Sequence, residues 1–219
     1  SVCALIPSIF FLVMAVLFFS MREKSAATRS FGLQLFVMFL FFFGYFLGTS
    51  IDRPAAAYYR FIVIPAIFGV SFLGLLFVHF YPDRRGTFLT KTAAVVSAVA
   101  AVILTSWYVI HNLRHGVPSF RFESHSWEFE SSVPDMAVSI GVAVIILLFL
   151  GSGLYKTRKA APGEKVSLAL IVIIISVMTL SSSVTSALSK TGGISRGTFF
   201  LTQDFLDIAA YFIAAVVYI

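Results

Sequence analysis

Seven long apolar stretches, each bordered by charged or turn-forming residues, divide the chain at 2–20, 31–50, 60–80, 92–111, 135–155, 166–187 and 199–219. Each approaches the ~20 mostly apolar residues that a helix needs to cross a bilayer. The pattern therefore predicts an all-α, polytopic bundle of seven membrane-spanning helices, forming one domain over 1–219. In the first stretch the basic residues Arg22, Lys24 and Arg29 follow the apolar run. A secretory signal places its charge before that run, so this stretch reads as a true membrane helix.

One segment breaks the helical rhythm. Within 112–134, the run Phe120-Arg121-Phe122-Glu123-Ser124-His125-Ser126-Trp127-Glu128-Phe129-Glu130 alternates aromatic and charged residues with period two, and the parity flips after Ser126. That predicts a short β-hairpin around a His125-Ser126 turn. In this register Phe122 faces Phe129, Arg121 faces Glu130, and Glu123 faces Glu128. The last is an unfavourable pair of like charges. The segment reads either as a lid packed by Phe122, Trp127 and Phe129, or as an amphipathic loop resting on headgroups.

Composition sharpens the class. Of 219 residues, 59% are hydrophobic and only 12% charged, about half the charged share of a soluble domain. A soluble fold of this size cannot hide so much apolar surface, which excludes an ordinary globular enzyme. The lone cysteine, Cys3, excludes an internal disulfide and a cysteine-cluster metal site. The net charge of +6 reads as loop bias in a membrane protein and not as a nucleic-acid surface.

That bias sets a direction. The first, third and fifth loops hold ten Lys and Arg (Arg22, Lys24, Arg29, Arg84, Arg85, Lys91, Lys156, Arg158, Lys159, Lys165). The other three hold six (Arg53, Arg60, Arg114, Arg121, Lys190, Arg196). Positive loops stay cytoplasmic. The N-terminus is then outside, the C-terminus inside, and the hairpin loop outside, in a multi-pass protein of the cell's inner (cytoplasmic) membrane. No basic stop follows Tyr218-Ile219, so a cytoplasmic portion is expected beyond 219.

Charges within a bilayer are costly and hence candidates for function. Asp204 and Asp207 lie three apart in the last helix. Helical spacing extends their stripe to Phe200, Tyr211, Ala214 and Tyr218. At the same outer depth fall Arg60, Trp107, Tyr108, His111 and the polar residues Ser181, Ser182, Ser183, Thr185 and Ser186. A ligand cavity built on Asp204, Asp207, Tyr211, Arg60, Trp107, His111, Ser182 and Thr185 is one expectation. A structural pairing of either acid with Arg60 or Arg196 is the other.

No metal centre is expected. His111 and His115 are four apart, but that segment runs toward Gly116 and Pro118, and His79 belongs to the opposite membrane level, where it reads as structural. No cofactor is implied either: every lysine falls in a loop, which removes a retinal Schiff base. There is no glycine-rich phosphate loop and no nucleophile–base group. Gly44-x-x-x-Gly48 offers close packing within the bundle or a homodimer contact. Pro65 is a candidate hinge.

The segment 191–219, with Ile194-Ser195-Arg196-Gly197-Thr198 ahead of its helix and Val217-Tyr218-Ile219 at its close, resembles the last helix of N-terminal seven-helix sensor modules in spirochaete-type bacterial signalling proteins. Residues 52–85 are similar as well, from Arg53-Pro-Ala-Ala-Ala-Tyr-Tyr-Arg60 to Val78-His-Phe-Tyr-Pro-Asp83. The resemblance implies a receptor domain that detects an extracellular or membrane-borne small molecule or lipid. It would signal through the last helix to a cytoplasmic serine phosphatase, nucleotide cyclase or histidine kinase, with no catalysis of its own. The rivals are a small-molecule transporter, which would need a path through an inner half that reads as apolar, and a membrane-embedded enzyme.

Overall fold

A computed structural model describes residues 2–22, 25–82, 87–114, 120–123, 126–129, 132–190 and 196–219. The described residues form seven α-helices: α1 (Val2–Ser20), α2 (Ala26–Ser50), α3 (Arg60–Phe80), α4 (Phe88–Arg114), α5 (Val133–Lys159), α6 (Pro162–Lys190) and α7 (Arg196–Tyr218). A 3-10 turn, Pro54–Tyr59, leads into α3, and two strands, β1 (Phe120–Glu123) and β2 (Ser126–Phe129), lie between α4 and α5. Consecutive helices pack side by side, α7 returns against α1, and α3 also touches α5. Among the described residues, five spans are long and apolar enough to cross a membrane: Cys3–Ser20, Ala26–Ser50, Pro54–Phe80, Phe88–Arg114 and Val133–Lys159.

Most helices outrun their apolar stretches, because caps and not hydrophobicity decide where a backbone starts to coil. The Ser25 hydroxyl accepts from the Thr28 amide at 3.0 Å, so α2 begins five residues before the apolar run at Phe31. Thr87 Oγ1 does the same for the Thr90 amide at 3.2 Å. At α5, Asp135 Oδ2 accepts from both the Ser132 amide (3.0 Å) and the Ser132 hydroxyl (2.6 Å). Each satisfies donors that a helix start leaves orphaned. At the other end of α5, Lys156, Arg158 and Lys159 belong to its last turn and not to a loop.

Between lipid-immersed helices no hydrophobic force distinguishes neighbour from solvent, so close fit decides the contacts. In α2 the fit at Gly44 and Gly48 comes from side chains that follow in the chain. A Cβ on Gly48 would lie 2.5 Å from Tyr59 Cδ1, and one on Gly44 2.8 Å from Val63 Cγ2. The Gly44-x-x-x-Gly48 pair is thus filled from within the same chain. Around it, Phe11 stacks on Phe42 with centroids 5.4 Å apart, and Phe31 meets Phe18, Phe77, Tyr211 and Tyr218. Pro65 lies inside α3, which continues through it to Phe80.

The strands pair antiparallel as Phe120 with Phe129, Arg121 with Glu128, Phe122 with Trp127 and Glu123 with Ser126. This corrects the sequence register by two residues and moves Ser126 from the turn into β2. The observed register puts all four aromatic residues on one face in direct pairs. It also sets Arg121 opposite Glu128 and removes the Glu123–Glu128 opposition, which is the physical reason it wins. Residues 124 and 125 lie outside the described residues.

Candidate functional site

The last helix turns its acids inward. Asp204 and Asp207 are 8% and 7% exposed, and Ala210, Tyr211, Ala214 and Ala215 are buried on the same stripe. Phe205, one residue from the stripe, is 72% exposed. The acids therefore face protein, while Phe212, Ile213 and Val216, like Phe205, face away from it. Asp207 Oδ2 accepts from Gln203 Nε2 at 3.4 Å, and Asp204 Oδ2 has no hydrogen-bond partner among the described residues.

One turn further on, the Tyr211 hydroxyl accepts from Gln34 Nε2 at 3.1 Å, and the same amide donates to the Val70 carbonyl at 3.2 Å. Gln34 is 1% exposed, and its Oε1 has no partner among the described residues. Gly74 makes room: a Cβ there would lie 3.1 Å from Gln34 Nε2. Two turns beyond Tyr211, the Tyr218 hydroxyl lies 2.8 Å from Thr28 Oγ1 and 3.3 Å from Ser25 Oγ. A line of polar groups therefore follows α7, from Asp204 to its last residue, and leans on α2.

The other expected site residues are dispersed. Arg60 is half-buried at the start of α3, its guanidinium carbon 5.9 Å from the Tyr59 ring centroid. Trp107 is 43% exposed and faces away from the bundle; its neighbour Tyr108 is the one that points in, fully buried. His111 is half-buried and sits within α4, which runs on to Arg114; His115 lies outside the described residues. The side chains of Ser181, Ser182, Ser183, Thr185, Ser186 and Arg196 also lie outside them. Among the described residues no three His, Cys, Asp or Glu gather as a metal site.

The hairpin sits on the 3-10 turn and on the adjoining ends of α2, α3 and α4. Phe129 is its anchor, buried and stacked on Phe61 at 5.7 Å, with Tyr58 edge-on at 5.5 Å and Tyr108 at 6.4 Å. Trp127 Nε1 donates to Asp52 Oδ1 at 3.4 Å. Phe122 is 51% exposed and packs only sideways on Trp127. Of the three expected packing residues, Phe129 and Trp127 hold the hairpin down, and Phe122 projects from it.

At the opposite end, Lys156 is 3% exposed and its ammonium donates to the His79 carbonyl at 2.8 Å, capping the last turn of α3. His79 Nδ1 lies 2.8 Å from Thr90 Oγ1, which fits its structural reading. Just past α3, burial pushes the Tyr81 phenol above its usual range, with the Glu164 charge adding to the effect. Gln34 and Lys156 were not singled out from sequence. Gln34 carried a signal as the one amide inside a phenylalanine run. Lys156 carried one as the continuation of the buried stripe Ile145, Phe149 and Ser152. Comparison with protein-family models gives no match for this chain, and comparison with curated proteins gives none either.

Proposed function

We propose that this chain is a bacterial membrane sensor module of seven spanning helices, N-terminus outside and C-terminus cytoplasmic, that receives a ligand against α7 and relays it along that helix. The ligand would be an extracellular or membrane-borne small molecule or lipid, and the receiver a cytoplasmic phosphatase, cyclase or kinase. One observation carries the reading: the two buried acids and the tyrosines that tie α7 to α2 occupy a single face of a single helix. A ligand contact that favours one placement of Asp204 or Asp207 is thereby a change in Tyr211 and Tyr218 as well, with no intermediary. Ligands act by such differential contact with two arrangements.

The acids are suited to the role. Two carboxylates one turn apart, with no basic partner among the described side chains, favour a donor-rich or cationic group. The resemblance of 191–219 to sensor modules points the same way.

The test uses the purified chain in lipid nanodiscs and a thermal-shift screen of small molecules and lipids. A compound that stabilises the parent should lose most of its effect with Asp204→Asn or Asp207→Asn. Equal stabilisation of parent and both variants would remove α7 as the receiving element. Orientation is read separately, with Cys3→Ser as background and single cysteines at Phe122 and Lys159. Position 122 should label from outside intact cells, and 159 only after permeabilisation.

A further inference from the structure

A furrow of about 440 Å³ runs along the outer flank where α4 meets α5, within the ~300–1,000 Å³ range of small-molecule sites. Leu89 and Ala93 of α4 form one wall; Leu148, Gly151 and Tyr155 of α5 form the other, and Arg158 stands at its end. Positions 148, 151, 155 and 158 recur at helical spacing, so the furrow follows the α5 axis and opens sideways, toward the space a bilayer occupies. Small residues make it hollow. A Cβ on Gly151 would meet nothing within 4 Å, in contrast to Gly153 two residues on, whose Cβ would lie 2.6 Å from Val172 Cγ2.

The charge at the end of the furrow has one sign. Arg158 and Lys159 are both exposed, and Lys159 Nζ lies 4.7 Å from the Tyr155 ring centroid, which keeps it beside the furrow. α4 has no acid, and the only one in α5 is Asp135, in its first turn at the far end. Glu164, on the first turn of α6, is the nearest acid along the chain, and its charge acts on Tyr81.

We propose that this furrow seats an acyl chain of an anionic phospholipid, whose headgroup phosphate is held by Arg158 and Lys159. An unfilled hollow forfeits dispersion contacts along its walls, and the lateral opening admits a chain from the bilayer without any gate. A guanidinium offers paired donors to phosphate oxygens, and basic side chains between helices select anionic headgroups. A zwitterionic lipid fills the same hollow but brings no net charge to Arg158 and Lys159. The assignment needs only that α4 and α5 lie in a bilayer, so it stands or falls apart from the sensor reading.

The experiment is native mass spectrometry of the detergent-purified chain, titrated with phosphatidylglycerol or with phosphatidylcholine of the same acyl chains. The parent should retain phosphatidylglycerol roughly thirtyfold better, in line with two basic contacts at a membrane surface. Gly151→Leu, whose Cβ would enter open space, should lower retention of both lipids. Arg158→Gln with Lys159→Gln should abolish the preference, while Arg29→Gln, an exposed basic residue at the start of α2, should leave it intact. Equal retention of the two lipids by the parent would overturn the proposal. So would an unchanged preference in the Arg158→Gln, Lys159→Gln chain, or an equal loss with Arg29→Gln, which would show diffuse surface charge. Should Gly151→Leu lower the melting temperature, the double Gln variant decides alone.

Discussion

α2 and α4 are near equals in length and both are apolar enough to span, yet 44% of the apolar window of α2 is buried against 22% for α4. The difference lies in shape. α2 sets Gly48 against the Tyr59 ring, Gly32 against the Phe19 ring and Gly44 against Val63, and bonds Gln34 to Tyr211 and Val70. α4 turns Ala93, Ala94 and Ser97 inward and leaves Val95, Val96, Val99, Val102 and Ile103 more than half exposed. Inside a bilayer valine gains little by leaving lipid, so hydrophobicity alone does not choose an inner face. Rings that fit glycines and polar groups that need partners do choose one.

Four experiments bear on this contrast. Phe31→Ala should have the largest effect, about 2–4 kcal/mol by thermal melting, since it empties the centre of four ring contacts. Val99→Ala, on the exposed face of α4, should change stability by less than about 0.5 kcal/mol. Similar losses at both positions would erase the distinction between the helices.

Gly48→Leu should follow, costing about 1–3 kcal/mol or preventing folding, because Tyr59 occupies the space the new side chain needs. Gly151→Leu should stay within about 0.5 kcal/mol of the parent in the same melt. Smaller again is Tyr211→Phe, at about 1 kcal/mol from the lost partner of Gln34. Gln34→Leu added to it should cost less than the sum of the two single changes, as expected of a bonded pair. Strict additivity would dissolve the tie between α2 and α7.

The smallest effect is a pH profile. Burial holds the Tyr81 proton in the folded state to higher pH than in the unfolded chain. The folded form therefore binds more protons, and stability declines as pH climbs past about 10, the unfolded value. Tyr81→Phe should flatten that decline between pH 9 and 11 in denaturant titrations and leave neutral pH untouched. An equal slope in both proteins would place the alkaline sensitivity elsewhere.

The seven helices were legible because each needs a run of apolar residues, and Asp204 and Asp207 because charge in such a run is rare. Helix starts were less legible: Ser25, Thr87 and Ser132 work through hydrogen bonds that hydropathy does not register. The hairpin was readable as alternation, but its register turned on which charges end up opposed, and alternation alone is blind to a slip by two. Trp107 and Tyr108 show another limit. Both are amphipathic aromatics, and the sequence assigns them one depth without saying which faces in. Lys156 was hidden by its surroundings, since Lys, Arg and Lys at 156, 158 and 159 read as one solvated cluster until α3 ends on top of the first.

Tyr218 has a mechanical consequence. Its ring touches Phe18, Phe31, Phe77 and Tyr81, and its hydroxyl reaches the residues that cap α2. α7 is thus fastened to α2 twice, through Gln34 at Tyr211 and through a second joint at its end. The second joint falls on Ser25 and Thr28, where the chain leaves α1 and enters α2, so the close of the last helix and the start of the second form one rigid corner.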